Sequence, residues 1–121
     1  MAGSAMVFTE IRHSSVKKIK AAWTSDDTTG AVSGTTTYPY NGRLIGVITV
    51  PGSPAPSADY DIAVNDDDSV DVALGALADR HTSNTEYVAE ASLAGVANSK
   101  LTIAITAAGN SKKGTVYLYI R

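Results

Sequence analysis

Cysteine is absent from this chain of 121 residues, which excludes disulfide stapling and thiolate metal sites. Histidine is scarce: His13 and His81 are the two present, a poor set for zinc and a thin basis for Ser/His nucleophilic chemistry. No G-x-S-x-G turn and no G-x-x-x-x-G-K-[ST] loop occurs, so the sequence offers no nucleophile elbow and no phosphate cradle. No apolar run approaches the roughly 20 residues of a membrane span. The opening MAGSAMVFTE lacks a basic segment followed by an apolar block, so a secretory leader is not expected. Charge of one sign is missing as well. Ten Lys and Arg stand against twelve Asp and Glu, a formal net charge of -2, and neither a nucleic-acid nor a membrane partner is expected.

What is present is alanine, threonine, serine and glycine, with small or β-branched apolar residues between them. That texture favours short strands joined by polar turns. The length suits one domain that buries roughly two thirds of its unfolded surface. Residues 1–15 mix Met6, Val7, Phe8 and Ile11 with polar groups without a clear period, and read as a flexible N-terminal arm. Residues 16–121 then form a single β domain.

Within that domain KKIKAAW, residues 17–23, alternates with period two: Ile19, Ala21 and Trp23 on one face, Lys18, Lys20 and Ala22 on the other. Trp23 reads as core and the lysines as a solvated face. TSDDTTG, 24–30, reads as a turn, and AVSGTTTY, 31–38, as a polar strand. Pro39 and the pair Asn41-Gly42 predict a hairpin-like reversal. RLIGVITV, 43–50, is apolar on both faces and predicts a central strand or one at a subunit interface. PGSPAPSA, 51–58, is a proline-rich loop.

The acidic run Asp66-Asp67-Asp68 lies between YDIAV and VDVAL, two alternating segments, so the spacing predicts a hairpin with an acidic turn. A helix–loop–helix calcium loop counted from Asp66 needs glycine at its sixth position and glutamate at its twelfth; the chain has Asp71 and Leu77 there. Arg80 and His81 follow in a loop that reads as solvated. Ser83 and Glu86 match a capping box, and Tyr87, Val88, Ala91 and Ala94 recur at helical spacing, predicting one short helix near 84–94. LTIAITA, 101–107, and TVYLYIR, 115–121, each carry an apolar face and predict a terminal hairpin, with Tyr117 and Tyr119 on its semi-polar side.

About seven strands, with turn signals every 8–12 residues, predict an all-β fold: an antiparallel β-sandwich or a jelly-roll-like arrangement. The candidate functional residues are contact residues: Val7, Phe8 and Ile11 in the arm, and Tyr117 and Tyr119 on the terminal strand. No catalytic, cofactor-binding or metal-ligating residue is expected. Tyr38 and Tyr40, flanking Pro39, are the other option, as a small aromatic platform for a carbohydrate.

The block KKIKAAWTSDDTTGAVSGTTT and the ending ANSKLTIAITAAGNSKKGTVYLYIR resemble small virion structural proteins of tailed bacteriophages, over roughly residues 17–121. The resemblance implies a non-enzymatic capsid decoration or stabilisation protein with no cofactor. It implies a β-sandwich or jelly roll acting as a dimer or trimer, and the major capsid protein or another virion protein as partner. The location it implies is the capsid surface of the virion, with the host cytoplasm during assembly; a neck or tail role would fit the same texture.

Overall fold

The computed structural model describes residues 4–121. The fold is an all-β sandwich of two antiparallel sheets, with nine strands among the described residues rather than about seven. In chain order they are β1 (Ala5–Ile11), β2 (Lys17–Thr24), β3 (Val32–Thr35), β4 (Tyr40–Pro51), β5 (Asp61–Asn65), β6 (Glu86–Ala89), β7 (Gly95–Ser99), β8 (Thr102–Thr106) and β9 (Lys113–Ile120). The larger sheet runs β1-β2-β9-β4-β6, with β7 also on β4, and the smaller runs β3-β8-β5. No helix among the described residues is long and apolar enough to cross a membrane.

Alternation builds the core. Ile19, Ala21 and Trp23 of β2, and Val116, Leu118 and Ile120 of β9, point inward from the larger sheet. They meet Val32, Ile62, Val64, Ile103 and Ile105 of the smaller one. Trp23 fits because its partner in the register is Gly114; a Cβ there would lie 2.5 Å from the indole ring. Tyr60 closes that end of the core, its ring centroid 5.8 Å from that of Trp23.

After β2 the chain crosses between sheets at almost every connection, so among the described residues β1 and β2 are the only consecutive strands joined as a hairpin partner pair. This overturns three expectations of local pairing. Strands β8 and β9, expected as a terminal hairpin, lie in different sheets: β8 pairs with β3 and β5, β9 with β2 and β4. Asn41-Gly42 makes no reversal. Gly42 sits inside β4 at φ +127°, where a Cβ would meet the Arg121 carbonyl oxygen at 2.2 Å. The glycine serves close approach of two backbones rather than a turn.

The segment Val70–Leu74, expected to be the second strand of an acidic hairpin, is a coil of turns with one bridge, Asn65 to Asp71. Only Val72 of its three alternating apolar residues is buried; Val70 and Leu74 are 52% and 61% exposed. The Asp71 carboxylate accounts for this, since it accepts the N–H groups of Val64, Ala73 and Gly75 and winds the chain around itself.

The helix expected near 84–94 is not formed. Glu86–Ala89 is strand β6, paired with Gly46–Thr49 of β4, and a three-residue 3₁₀ turn, Glu90–Ser92, follows. The open edge of β4 outcompetes the weak helical spacing. The capping-box residue Glu86 accepts the N–H of His81 at 2.7 Å instead of serving Ser83.

The flexible arm is also corrected over its described part. Ala5–Ile11 is strand β1, in register with β2 from Ala5 opposite Thr24 to Ile11 opposite Lys18. Met6 and Phe8 pack against the core. The Glu10 carboxylate accepts the Tyr40 hydroxyl at 2.7 Å and the Thr37 N–H at 3.0 Å, and the Arg12 guanidinium lies 3.5 Å from the Tyr38 ring centroid. Residues 1–3 of the expected arm lie outside the described residues.

Candidate contact surface

The outward side chains of the larger sheet form three cross-strand rows. One runs Val7, Ala22, Thr115, Val50 across β1, β2, β9 and β4. The next runs Thr9, Lys20, Tyr117, Ile48 and on to Tyr87 of β6. The third runs Ile11, Lys18, Tyr119, Gly46 and Ala89. Neighbours in a row on adjacent strands touch, so the rows make one continuous surface.

Four of the five residues singled out in the sequence therefore share one face: Val7, Ile11, Tyr117 and Tyr119. The fifth, Phe8, does not. Its side chain points inward, its ring against Gly34 of β3, where a Cβ would approach it to 2.9 Å. Three members of the face escaped sequence reasoning. Strict alternation along 43–50 puts Ile48 and Val50 on the face of Leu44, but an irregularity between Leu44 and Gly46 shifts the register, so that Leu44, Val47 and Thr49 point inward instead. Tyr87 was assigned to the helix. No local signal in the sequence marks the bulge; the glycine at position 46 is the nearest hint.

The face is apolar but not plain. Val7 is 66% exposed, Tyr87 63% and Ile11 47%. The Lys18 ammonium lies 5.2 Å from the Tyr117 ring centroid and 5.9 Å from that of Tyr119, within cation–π range. Lys18 and Lys20 are the charges of the three rows, and no Asp or Glu stands in them. Glu90, beyond β6, forms an ion pair with Arg43 at 2.9 Å. An open cleft of about 350 Å³ lies at one end of the face, lined by Val7, Ala22, Thr24 and Thr115 together with Ser53 and Lys113.

The polar groups considered for chemistry are occupied in holding loops. The Asp66 carboxylate accepts the N–H groups of Asp68 and Val70, both within 3.0 Å, which makes the acidic run a self-capped turn. His81 Nδ1 accepts the N–H groups of Ser83 and Asn84 at 3.0 and 2.9 Å. The Arg80 guanidinium donates to the Ala76 carbonyl at 3.1 Å and pairs with Glu86 at 3.6 Å; its side chain is only 12% exposed, so this loop residue is a pin rather than a solvated charge. Among the described residues no group of three or more His, Cys, Asp or Glu side chains is placed to hold a metal ion.

The structure does not bring Tyr38 and Tyr40 together as one exposed aromatic platform. Tyr40 is 2% exposed and donates its hydroxyl to Glu10, while Tyr38 is exposed, with Arg12 lying over one face of its ring. Burial pushes the Glu10 carboxyl up, but hydrogen bonds from Tyr40, Thr37 and Tyr38 outweigh it and hold the group below the ordinary value of 4.5. Burial, with the Glu10 hydrogen bond and charge behind it, pushes the Tyr40 phenol up. The two groups lock each other into the charged carboxylate and the neutral phenol. No family model, no curated protein and no solved structure matches this chain.

Proposed function

We propose that this chain is a non-enzymatic structural protein of a tailed-phage virion, working by surface contact on a repeating partner such as the head lattice. The observation that carries the reading is the three-row outward face of the larger sheet. Seven apolar or tyrosyl side chains, Val7, Ile11, Ile48, Val50, Tyr87, Tyr117 and Tyr119, lie on one side of a rigid sheet. A continuous apolar face with aromatic residues and few charges is the composition of a protein–protein contact. The resemblance of residues 17–121 to small virion proteins supplies the partner class. A singly weak contact becomes firm when one oligomer engages several lattice sites at once, because the second contact is then intramolecular and acts at high effective concentration.

The test is particle association. The chain is expressed with the head, neck and tail proteins of a tailed phage, and density-banded particles are probed for it by immunogold labelling. Wild type is expected in the band, at a copy number matching a head lattice. The double variant Ile48→Glu with Tyr117→Glu, confirmed folded by circular dichroism, is expected to fall at least tenfold in occupancy. Wild type absent from the particles sinks the proposal; gold label at the neck or tail moves the contact there.

A further inference from the structure

The edges of the two sheets are treated unequally. Strand β5 has its outer edge covered by the following loop: Val72 donates to the Val64 carbonyl at 2.8 Å, Ile62 donates to the Leu77 carbonyl at 3.0 Å, and Arg80 donates to the Tyr60 carbonyl at 2.7 Å. Strand β3 is four residues long and lies under the Met6 and Phe8 side chains. On the far side of the larger sheet, β6 and β7 are four and five residues long. Strand β1 is different. It is seven residues long, it pairs on one side with β2, and among the described residues no backbone group of Ala5–Ile11 bonds to anything on its other side.

Natural edge strands are blunted by lysine, proline, bulges or covering loops, because an unpaired row of N–H and C=O groups is a template for another strand. AMVFTEI has none of these devices; the one protection it carries is the inward-pointing charge of Glu10. Its register with β2 is unbroken over all seven residues, so the edge is straight enough to pair. Its single charge, Glu10, is turned inward and engaged by Tyr40 and Thr37. The strand can therefore face a copy of itself without a like-charge confrontation.

We infer that β1 is a self-pairing edge: two copies of this chain join β1 to β1, antiparallel about a two-fold axis at Phe8, into one continuous sheet of twelve strands built from two of six. In this register Val7 of each copy faces Thr9 of the other and Ala5 faces Ile11. Side chains keep their faces, so Met6 and Phe8 stay over the two cores and the exposed rows continue from one copy to the next. The pairing supplies backbone partners for the edge and covers Val7 and Ile11 partly from the side. It does not depend on the virion reading and needs no other protein.

Light scattering after size exclusion tests it on the isolated chain. Wild type is expected at twice 12.5 kDa. Val7→Glu with Thr9→Glu places carboxylates opposite each other across the axis, whereas within one chain the new Glu at position 9 faces Lys20 favourably. This variant is expected to be a folded monomer, with lost hydrogen-exchange protection at the β1 amides. Val7→Lys with Thr9→Lys is expected to be a monomer too, and mixing the two variants is expected to restore a dimer of one copy each. The face variant Ile48→Glu with Tyr117→Glu is expected to remain dimeric. A monomeric wild type overturns the inference, as does a dimer that survives the Glu pair, dissolves in the face variant, or fails to return on mixing.

Discussion

The two sheets are alike inside and unlike outside. Inward, both present β-branched and leucine side chains at alternate positions, and Ile103 and Leu118 are equally inaccessible. Outward, the smaller sheet shows Ser33, Thr35, Thr102, Ala104, Ala63 and Asn65, with Thr35 and Thr102 hydroxyls hydrogen-bonded across strands at 2.8 Å. That is a wet face, and it is what an antiparallel sheet with one buried side normally carries. The larger sheet shows valine, isoleucine and tyrosine on its outward side, with Lys18, Lys20, Thr9 and Thr115 among them. Folding requires only the inner faces. On the proposed reading, the outer difference marks the surface that a partner covers.

The sharpest way to break the inner half of that comparison is to cut the core from each side. Ile103→Ala in β8 and Leu118→Ala in β9 each remove a fully buried side chain. Each is expected to lower unfolding free energy by about 2–5 kcal/mol, the range for such deletions in packed cores. Urea melts followed by circular dichroism would measure both. A loss several-fold smaller on one side would show that the sheets do not share one core.

The contrast between faces also explains what could be read from the sequence. Period-two alternation at 17–23, 101–107 and 115–121 identified three strands and their inner faces, because one side of each is polar or semi-polar. The same pattern failed at β1 for a physical reason. Met6 and Phe8 face the core while Val7 and Ile11 face outward, so both faces are apolar and the period is masked. The proposed contact surface is itself what hides the strand. Pairing partners were illegible for another reason: alternation gives a strand its faces, not its neighbours. Strands β8 and β9 are close in sequence and sit in opposite sheets because Gly30, Ser57, Gly109 and Lys112 tie the intervening loop across the sandwich. Ala108 donates to the Gly30 carbonyl, Ser57 to the Ala108 carbonyl, and the Ser25 hydroxyl to the Gly109 carbonyl while accepting the Lys112 N–H. Such long-range bonds leave no local signature.

A smaller effect tests what attaches the outermost strand of the larger sheet. The Tyr40 hydroxyl donates to a charged carboxylate from a buried position, a bond class worth about 1.5–3 kcal/mol. Tyr40→Phe is expected to cost about that much. The pH dependence has a definite sign. Glu10 titrates below its ordinary 4.5 in the folded chain, so its contribution is fully present above that value and is lost as pH falls through the lower, folded one. Urea midpoints of wild type and Glu10→Gln should differ at neutral pH and converge in acid below that folded value. A gap that persists unchanged in acid would mean that the carboxylate charge is not what holds β1 down.

The smallest stability effect carries the comparison of the outer faces by itself, through a swap of their character. Val7→Thr with Ile11→Thr makes part of the larger face polar; Thr35→Val with Thr102→Val makes part of the smaller one apolar. All four changes exchange or keep β-branched residues, so strand preference is nearly constant. The second pair removes both partners of one hydrogen bond together, leaving no orphaned group. Each double variant is expected to stay within about 0.5 kcal/mol of wild type, as surface substitutions generally do. Retention on a mildly apolar chromatography matrix should move in opposite directions: earlier elution for the Thr pair on β1, later for the Val pair on the smaller sheet. If the Thr pair leaves retention unchanged while the Val pair raises it, Val7 and Ile11 are already covered in solution and that end of the larger face is not a free surface. If neither moves, the outward difference between the sheets has no physical consequence, and the reading of the larger face as a contact surface goes with it.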